Sequence, residues 1–111
     1  MSRSRQQPAG GPPFPPPPFP GTENLVPITT ADDLLEEGRR QRNCVGAYAG
    51  RVRRGRCYIY RLLAPKRATV EIVLRKNGWR LGEIKAAENQ PVRPSTEDFV
   101  IGWLDAEKTV R

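Results

Sequence analysis

Apolar positions in this chain change period along its length, and each change marks an element. Leu25, Val26 and Ile28 make a short apolar lead-in. Thr30 is an N-cap residue, with Asp32, Asp33, Glu36 and Glu37 ahead of Arg39, Arg40 and Arg42. Acids first and bases last complement the helix dipole, which predicts a helix over Ala31–Arg42 with Leu34 and Leu35 inward. Asn43 can cap a second helix, in which Val45, Tyr48, Ala49 and Val52 fall at i, i+3, i+4 and i+7. Gly55 ends it. On that helix Cys44, Tyr48 and Arg51 share one flank and Arg54 points outward.

The period then becomes two. Cys57–Leu63 alternates Tyr58, Tyr60 and Leu62 against Cys57, Ile59 and Leu63, and Pro65 stops it. Ala68–Arg75 sets Ala68, Val70, Ile72 and Leu74 against Thr69, Glu71, Val73 and Arg75. Asn77-Gly78 signals a tight hairpin returning as Trp79–Ala86. In plain register Leu81 and Ile84 fall on opposite faces, so a bulge at Gly82 is predicted to bring both inward. After a loop over Glu88–Pro94, Ser95 with Asp98 reads as a capping box. Phe99, Val100, Trp103 and Leu104 would form the inner face of the last helix. The predicted fold is α+β: two N-terminal helices, a three-stranded antiparallel meander and a C-terminal helix packed on the sheet.

Composition divides the chain. Eight prolines lie within residues 1–23, among them the run Phe14-Pro15-Pro16-Pro17-Pro18. Proline fixes φ and removes the amide donor, so residues 1–23 read as a disordered, polyproline-like tail. The run resembles ligands of aromatic-lined grooves, which makes the tail a candidate docking peptide. Residues 24–111 are then the folded domain. No apolar run is long enough to span a membrane and no secretory signal is visible, so a cytoplasmic protein is expected.

Charge narrows the chemistry. The 111 residues carry net charge +7 and no histidine. A histidine base, a Cys–His dyad and mixed Cys/His zinc sites are therefore excluded, and two cysteines cannot make an all-cysteine zinc site. No metal or cofactor is expected. Between Gly38 and Val70 stand ten basic residues and no acid: Arg39, Arg40, Arg42, Arg51, Arg53, Arg54, Arg56, Arg61, Lys66 and Arg67. Arginine suits bidentate phosphate contact, and Tyr48, Tyr58 and Tyr60 are interleaved for stacking. The alternative is a solvated basic face. Cys44 and Cys57 match no metal spacing. Cys44 sits near a helix start beside Arg42 and Arg51, where a thiolate is favoured, against the plainer reading of a structural thiol.

Leu35-Glu36-Glu37-Gly38, followed by Asn43-Cys44-Val45-Gly46-Ala47-Tyr48 and Gly55 before a strand, resembles the PcfJ-like family of conjugative plasmids, phages and other mobile elements. The family pattern of a His-Cys-Val-Gly-x-Tyr box, a Thr-x-Glu strand, a loop Asn and a C-terminal Trp helix corresponds to Cys44, Val45, Gly46 and Tyr48; Thr69 and Glu71; Asn89; and Trp103. Asn43 stands where that pattern has His. The resemblance covers residues 30–105 and implies a fold and a mobile-element setting, not an activity. It marks Asn43, Cys44, Tyr48, Glu71 and Asn89 as a polar cluster, either a network fixing helix to sheet or a small pocket for a nucleotide end or peptide.

Three functions compete. The first is a non-enzymatic accessory module binding DNA or RNA through the arginine face; about six phosphate contacts would give a salt slope near −5 on duplex. The second is an interaction module, with the basic face on an acidic protein and the tail as a second docking site. The third is a small enzyme built on Cys44, with Glu71 as its only nearby acid or base.

Overall fold

The computed structural model describes residues 13–110. Its elements are β1 (Leu25–Pro27), α1 (Ala31–Gln41), a 3-10 turn (Val45–Tyr48), α2 (Ala49–Arg53), β2 (Cys57–Leu62), β3 (Ala68–Arg75), β4 (Gly78–Lys85), a second 3-10 turn (Ala87–Asn89) and α3 (Pro94–Val110). The class is α+β, with four strands in the order β1-β2-β3-β4, all antiparallel. The expected three-stranded meander gains β1. Leu25 pairs Leu62 and Pro27 pairs Tyr60, and three residues are too few to show an alternation.

α1 begins as its cap dictates. Thr30 Oγ1 accepts the Asp33 N–H at 3.0 Å, and Arg42 closes the helix with φ 53°. Ala31, Leu34 and Gly38 are buried, and Glu37 shares their stripe. Leu35, expected inward, is 45 % exposed because it lies a full 100° from Leu34. The second helix is not continuous. Gly46 and Gly50 weaken it, and a 3-10 turn closed by Ala47 N–H to the Cys44 carbonyl (3.0 Å) precedes the short α2. α3 starts at Pro94, in the first turn where a missing N–H costs nothing. The Arg93 carbonyl accepts from Thr96 and Glu97, so Ser95 lies inside the helix and is not its cap. Thr96, Val100 and Leu104 are buried at i, i+4 and i+8, whereas Phe99, expected inside, is exposed.

The bulge falls at Gly82. Glu71 pairs Glu83 and Ile72 pairs Leu81, so Gly82 is the extra residue. Ile84 opposite Val70 and Leu81 opposite Ile72 thereby share one face. A Cβ on Gly82 would lie 2.9 Å from Glu71 Oε1 and from Val73 Cγ1, so the close approach of β3 excludes a side chain there. The hairpin turn sits one residue earlier than Asn77-Gly78. Arg75 pairs Gly78 across Lys76 and Asn77, and of these only Gly78 has positive φ.

Three layers result. α1 and α2 cover the face of Cys57, Ile59, Thr69, Glu71 and Val73. α3 covers the face of Tyr58, Tyr60, Val70 and Ile72 and shares it with residues 13–20. The expected disordered tail is thus ordered over its described part. Residues 1–12 of the expected tail lie outside the described residues, but residues 13–20 form a strap on the sheet, with Phe14 9 % and Phe19 4 % exposed. Proline keeps the strap extended, and the two phenylalanines supply the apolar area that holds it. No helix among the described residues is long and apolar enough to cross a membrane.

Candidate functional site

The layer between α1 and the sheet holds a buried carboxylate. Glu37 is 0 % exposed. Its Oε1 accepts from Arg61 Nε at 3.2 Å and from the Arg67 guanidinium. Its Oε2 takes the Thr69 hydroxyl at 2.6 Å. Arg67 also donates to the Leu62 and Ala68 carbonyls. A charge buried so deeply persists only where it is paired and hydrogen-bonded, and Glu37 is both. The chain continues outward. Asn43 Nδ2 donates to Thr69 Oγ1 at 3.2 Å, and Asn43 Oδ1 accepts the Val45 N–H at 3.1 Å. Asn43 thus ties α1's exit to β3 and opens the 3-10 turn.

Beside Asn43 lies a cavity of about 180 Å³. The structure brings Asn43, Cys44, Tyr48, Glu71 and Asn89 around it, together with Glu83 and Lys85. Glu71 is buried and ion-paired to Arg51. Burial pushes its carboxyl above the usual value, and Arg51 offsets this only in part. The Arg51 guanidinium stacks on the Tyr48 ring, 4.1 Å from the centroid. The Tyr48 hydroxyl reaches Glu83 at 3.4 Å, and burial followed by the Glu83 charge raises its pKa. Asn89, which lines the cavity, and Glu88 before it both have left-handed backbone, φ 61° and 62°, a conformation uncommon outside glycine. Glu88 is held there by an ion pair to Arg42. Cys44 is exposed and Cys57 buried; burial, and then the neighbouring Glu71, raises the Cys57 thiol to about 12. Among the described residues no group of three or more His, Cys, Asp or Glu is placed to hold a metal.

The arginine face is divided by the fold. Acids that bracket the basic stretch in sequence return to it in space. Arg39 and Arg40 pair with Glu36, Arg42 with Glu88, Arg51 with Glu71, and Arg61 and Arg67 with Glu37. Arg53 lies over the Phe14 ring. The single unopposed face of ten therefore does not form. What remains is a groove of about 400 Å³ at the C-terminal end of α2, where Arg51, Arg54, Arg56 and Arg75 converge around Val73 and Leu74. Arg54, Arg56 and Arg75 have no carboxylate within ion-pair distance among the described residues. Arg75 was not among the sequence candidates because it lies beyond Glu71. Its place on the Val73 face was the available signal. Glu37 was missed as a site residue, although it stands three positions from Leu34 on the buried stripe. Glu83 follows from the bulge register, which sets it opposite Glu71.

The family model described as PcfJ-like protein matches residues 21–100. No curated protein and no solved structure matches the chain.

Proposed function

The chain belongs to the PcfJ-like family, and for this member we propose a non-enzymatic nucleic-acid-binding accessory role, in the mobile-element setting that the family resemblance implies. The observation that carries it is the groove, in which four arginines converge and three lack carboxylate partners among the described residues. Guanidinium groups crowded on one concave surface repel each other, and a phosphodiester relieves that repulsion while accepting bidentate hydrogen bonds. Three to four phosphate contacts replace the six or so that the undivided arginine face would make. Contacts of this kind position the chain on a strand and carry no base information.

Fluorescence anisotropy against duplex and single-stranded DNA and RNA at several salt concentrations tests the proposal. Log K should fall with log salt at a slope between about −2.7 and −3.6 on duplex, and proportionally less on single strands. Arg54→Glu with Arg56→Glu should abolish binding to every sequence alike. Arg39→Glu with Arg40→Glu should have a much smaller effect, because Glu36 holds both. A slope near zero, or equal losses in the two double variants, would refute the groove as the contact.

A further inference from the structure

The cavity beside Asn43 has polar groups that neither the buried network nor the arginine groove uses. On its inner side Asn43 is bonded to Thr69 and to the Val45 N–H, and Glu71 is paired to Arg51. The outer wall is free. Glu83 and Lys85 stand two apart on β4, beyond the bulge, opposite Glu71 and Thr69, so both face the cavity side of the sheet. Lys85 and Asn89 make no side-chain hydrogen bond or ion pair among the described residues. The Glu83 carboxylate has the Tyr48 hydroxyl alone, at 3.4 Å. Asn89 is presented by a pinned turn, with Ala86 N–H on the Gln90 carbonyl at 2.7 Å and Gln90 N–H on the Ala87 carbonyl at 3.2 Å. Val45 and the Tyr48 ring, the latter fixed by the Arg51 guanidinium 4.1 Å from its centroid, supply apolar wall.

Charge sorts the ligands that such a cavity takes. Arg51 neutralises Glu71, and Lys85 stands beside Glu83 on the same wall. Glu83 repels a phosphate and Lys85 repels a peptide's terminal ammonium. What matches is a neutral planar group with N–H donors and a carbonyl acceptor along one edge and apolar faces. At about 180 Å³ the cavity is smaller than the roughly 300 Å³ at which drug-sized sites begin, which suits a single ring system. Among the bases guanine alone offers two neighbouring N–H donors, N1 and N2, to one carboxylate, with O6 beside them for an ammonium or amide. That edge is bare only in unpaired strand. Arg51 links cavity and groove, since it lines the groove and its partner Glu71 lines the cavity. We propose that the cavity takes one unpaired guanine base of the strand whose phosphates lie in the groove. Glu83 accepts N1–H and N2–H, and Lys85 and Asn89 donate to O6. The inference rests on the proposed role of the groove and adds the base information that phosphate contacts lack.

The experiment uses the full chain and a short single strand of thymidines, alone or with one central guanine, hypoxanthine, adenine or cytosine. By anisotropy the guanine strand should bind roughly 5- to 150-fold tighter than the thymidine, adenine and cytosine strands, the factor that a good bidentate base contact supplies. Hypoxanthine, which lacks the N2 amine, should fall between. Glu83→Gln should bring the guanine preference down toward one, and because Glu83 is exposed the variant should fold. A second measurement reads the cavity without the groove: nuclear magnetic resonance of the labelled chain with guanosine, which carries no phosphate. Guanosine should shift the signals of Tyr48, Lys85 and Asn89, and adenosine, cytidine and uridine should not. Arg54→Glu with Arg56→Glu should weaken the guanine strand and leave the guanosine shifts in place. Equal affinity for all strands with a normal salt slope would leave the groove standing and overturn the pocket. Guanosine shifts in a chain that binds no strand would overturn the groove, and with it a strand-borne base. Guanosine bound as tightly as the guanine strand would assign the cavity to a free nucleoside and overturn the proposal. A cavity that answers to a short peptide and not to guanosine would assign it to a protein and overturn it equally.

Discussion

Glu37 on α1 and Thr69 on β3 meet in a fully buried hydrogen bond of 2.6 Å between carboxylate and hydroxyl. The contact joins two residues 32 positions apart and makes α1 part of the sheet's polar wiring. Arg61 and Arg67 approach the other carboxylate oxygen from the solvent side, so the charge is neutralised at the boundary between the layers. The cavity lies one hydrogen bond further along, through Asn43.

Removing that carboxylate should be costly. Glu37→Ala leaves two guanidiniums without their partner and the Thr69 hydroxyl without its acceptor. A loss of about 3–5 kcal/mol is expected for breaking such a buried pair. Glu37→Gln keeps the volume and one acceptor and should lose less, about 1–3 kcal/mol. Urea unfolding at neutral pH checks both, with the slope m unchanged if only stability has moved.

The two cysteines should separate cleanly. Cys44 is exposed, whereas Cys57 lies inside with its thiol raised to about 12 from the usual 9.0. Alkylation of the native chain near pH 8 should stop at one label, on Cys44, and the second should enter only on unfolding. The raised value means that the folded chain keeps the Cys57 proton where the unfolded chain loses it. Stability should therefore fall as pH rises from about 9 toward 12, and Cys57→Ser should flatten that fall. Mass spectrometry and pH-dependent melting measure the two effects.

Local rules wrote most of this fold. The Thr30 cap, the period-two strands and the register conflict between Leu81 and Ile84 each pointed to an element that forms, down to the bulge at Gly82. What escaped is long-range or too short to be periodic. β1 is three residues long and exists because β2 offers it an edge. The strap holds through Phe14 and Phe19, two apolar residues in a run whose composition otherwise argues for solvent. The arginine stretch showed no acid along the sequence, but Glu36, Glu37, Glu71 and Glu88 reach it through turns and sheet pairing. The cavity draws on the second-helix region, β3, β4 and the Asn89 turn, a convergence that no single window of sequence contains.

The carboxyl of Glu71 predicts a pH dependence of definite sign. Burial raises it above the usual 4.5 despite Arg51. The folded chain therefore binds this proton more tightly than the unfolded chain does. Between the folded value and about 4.5, stability gains as pH falls; below that window the contribution is constant. The stability of the parent minus that of Glu71→Gln should thus rise on acidification through this window. Chemical unfolding of both chains at matched pH values reads the difference, and a difference that shrinks on acidification would contradict the burial argument.

Gly82→Ala should strike stability and the site together. The new methyl meets Val73 Cγ1 and Glu71 Oε1 at 2.9 Å and the Glu71 carbonyl oxygen at 3.1 Å. The carboxylate can move aside, but the Val73 methyl and the β3 backbone have little room, so a cost of about 1–3 kcal/mol is expected from overpacking. The cheapest relief swings Glu71 away and breaks its pair with Arg51, releasing that guanidinium toward the groove. In the double variant Gly82→Ala, Glu71→Ala the clash with the carboxylate is absent. The two losses should therefore sum to more than the measured total, with a coupling of about 0.5–3 kcal/mol. A double-mutant cycle in urea measures this term, and strict additivity would mean that Glu71 stays in place and the strain is carried by Val73 and the strand backbone alone.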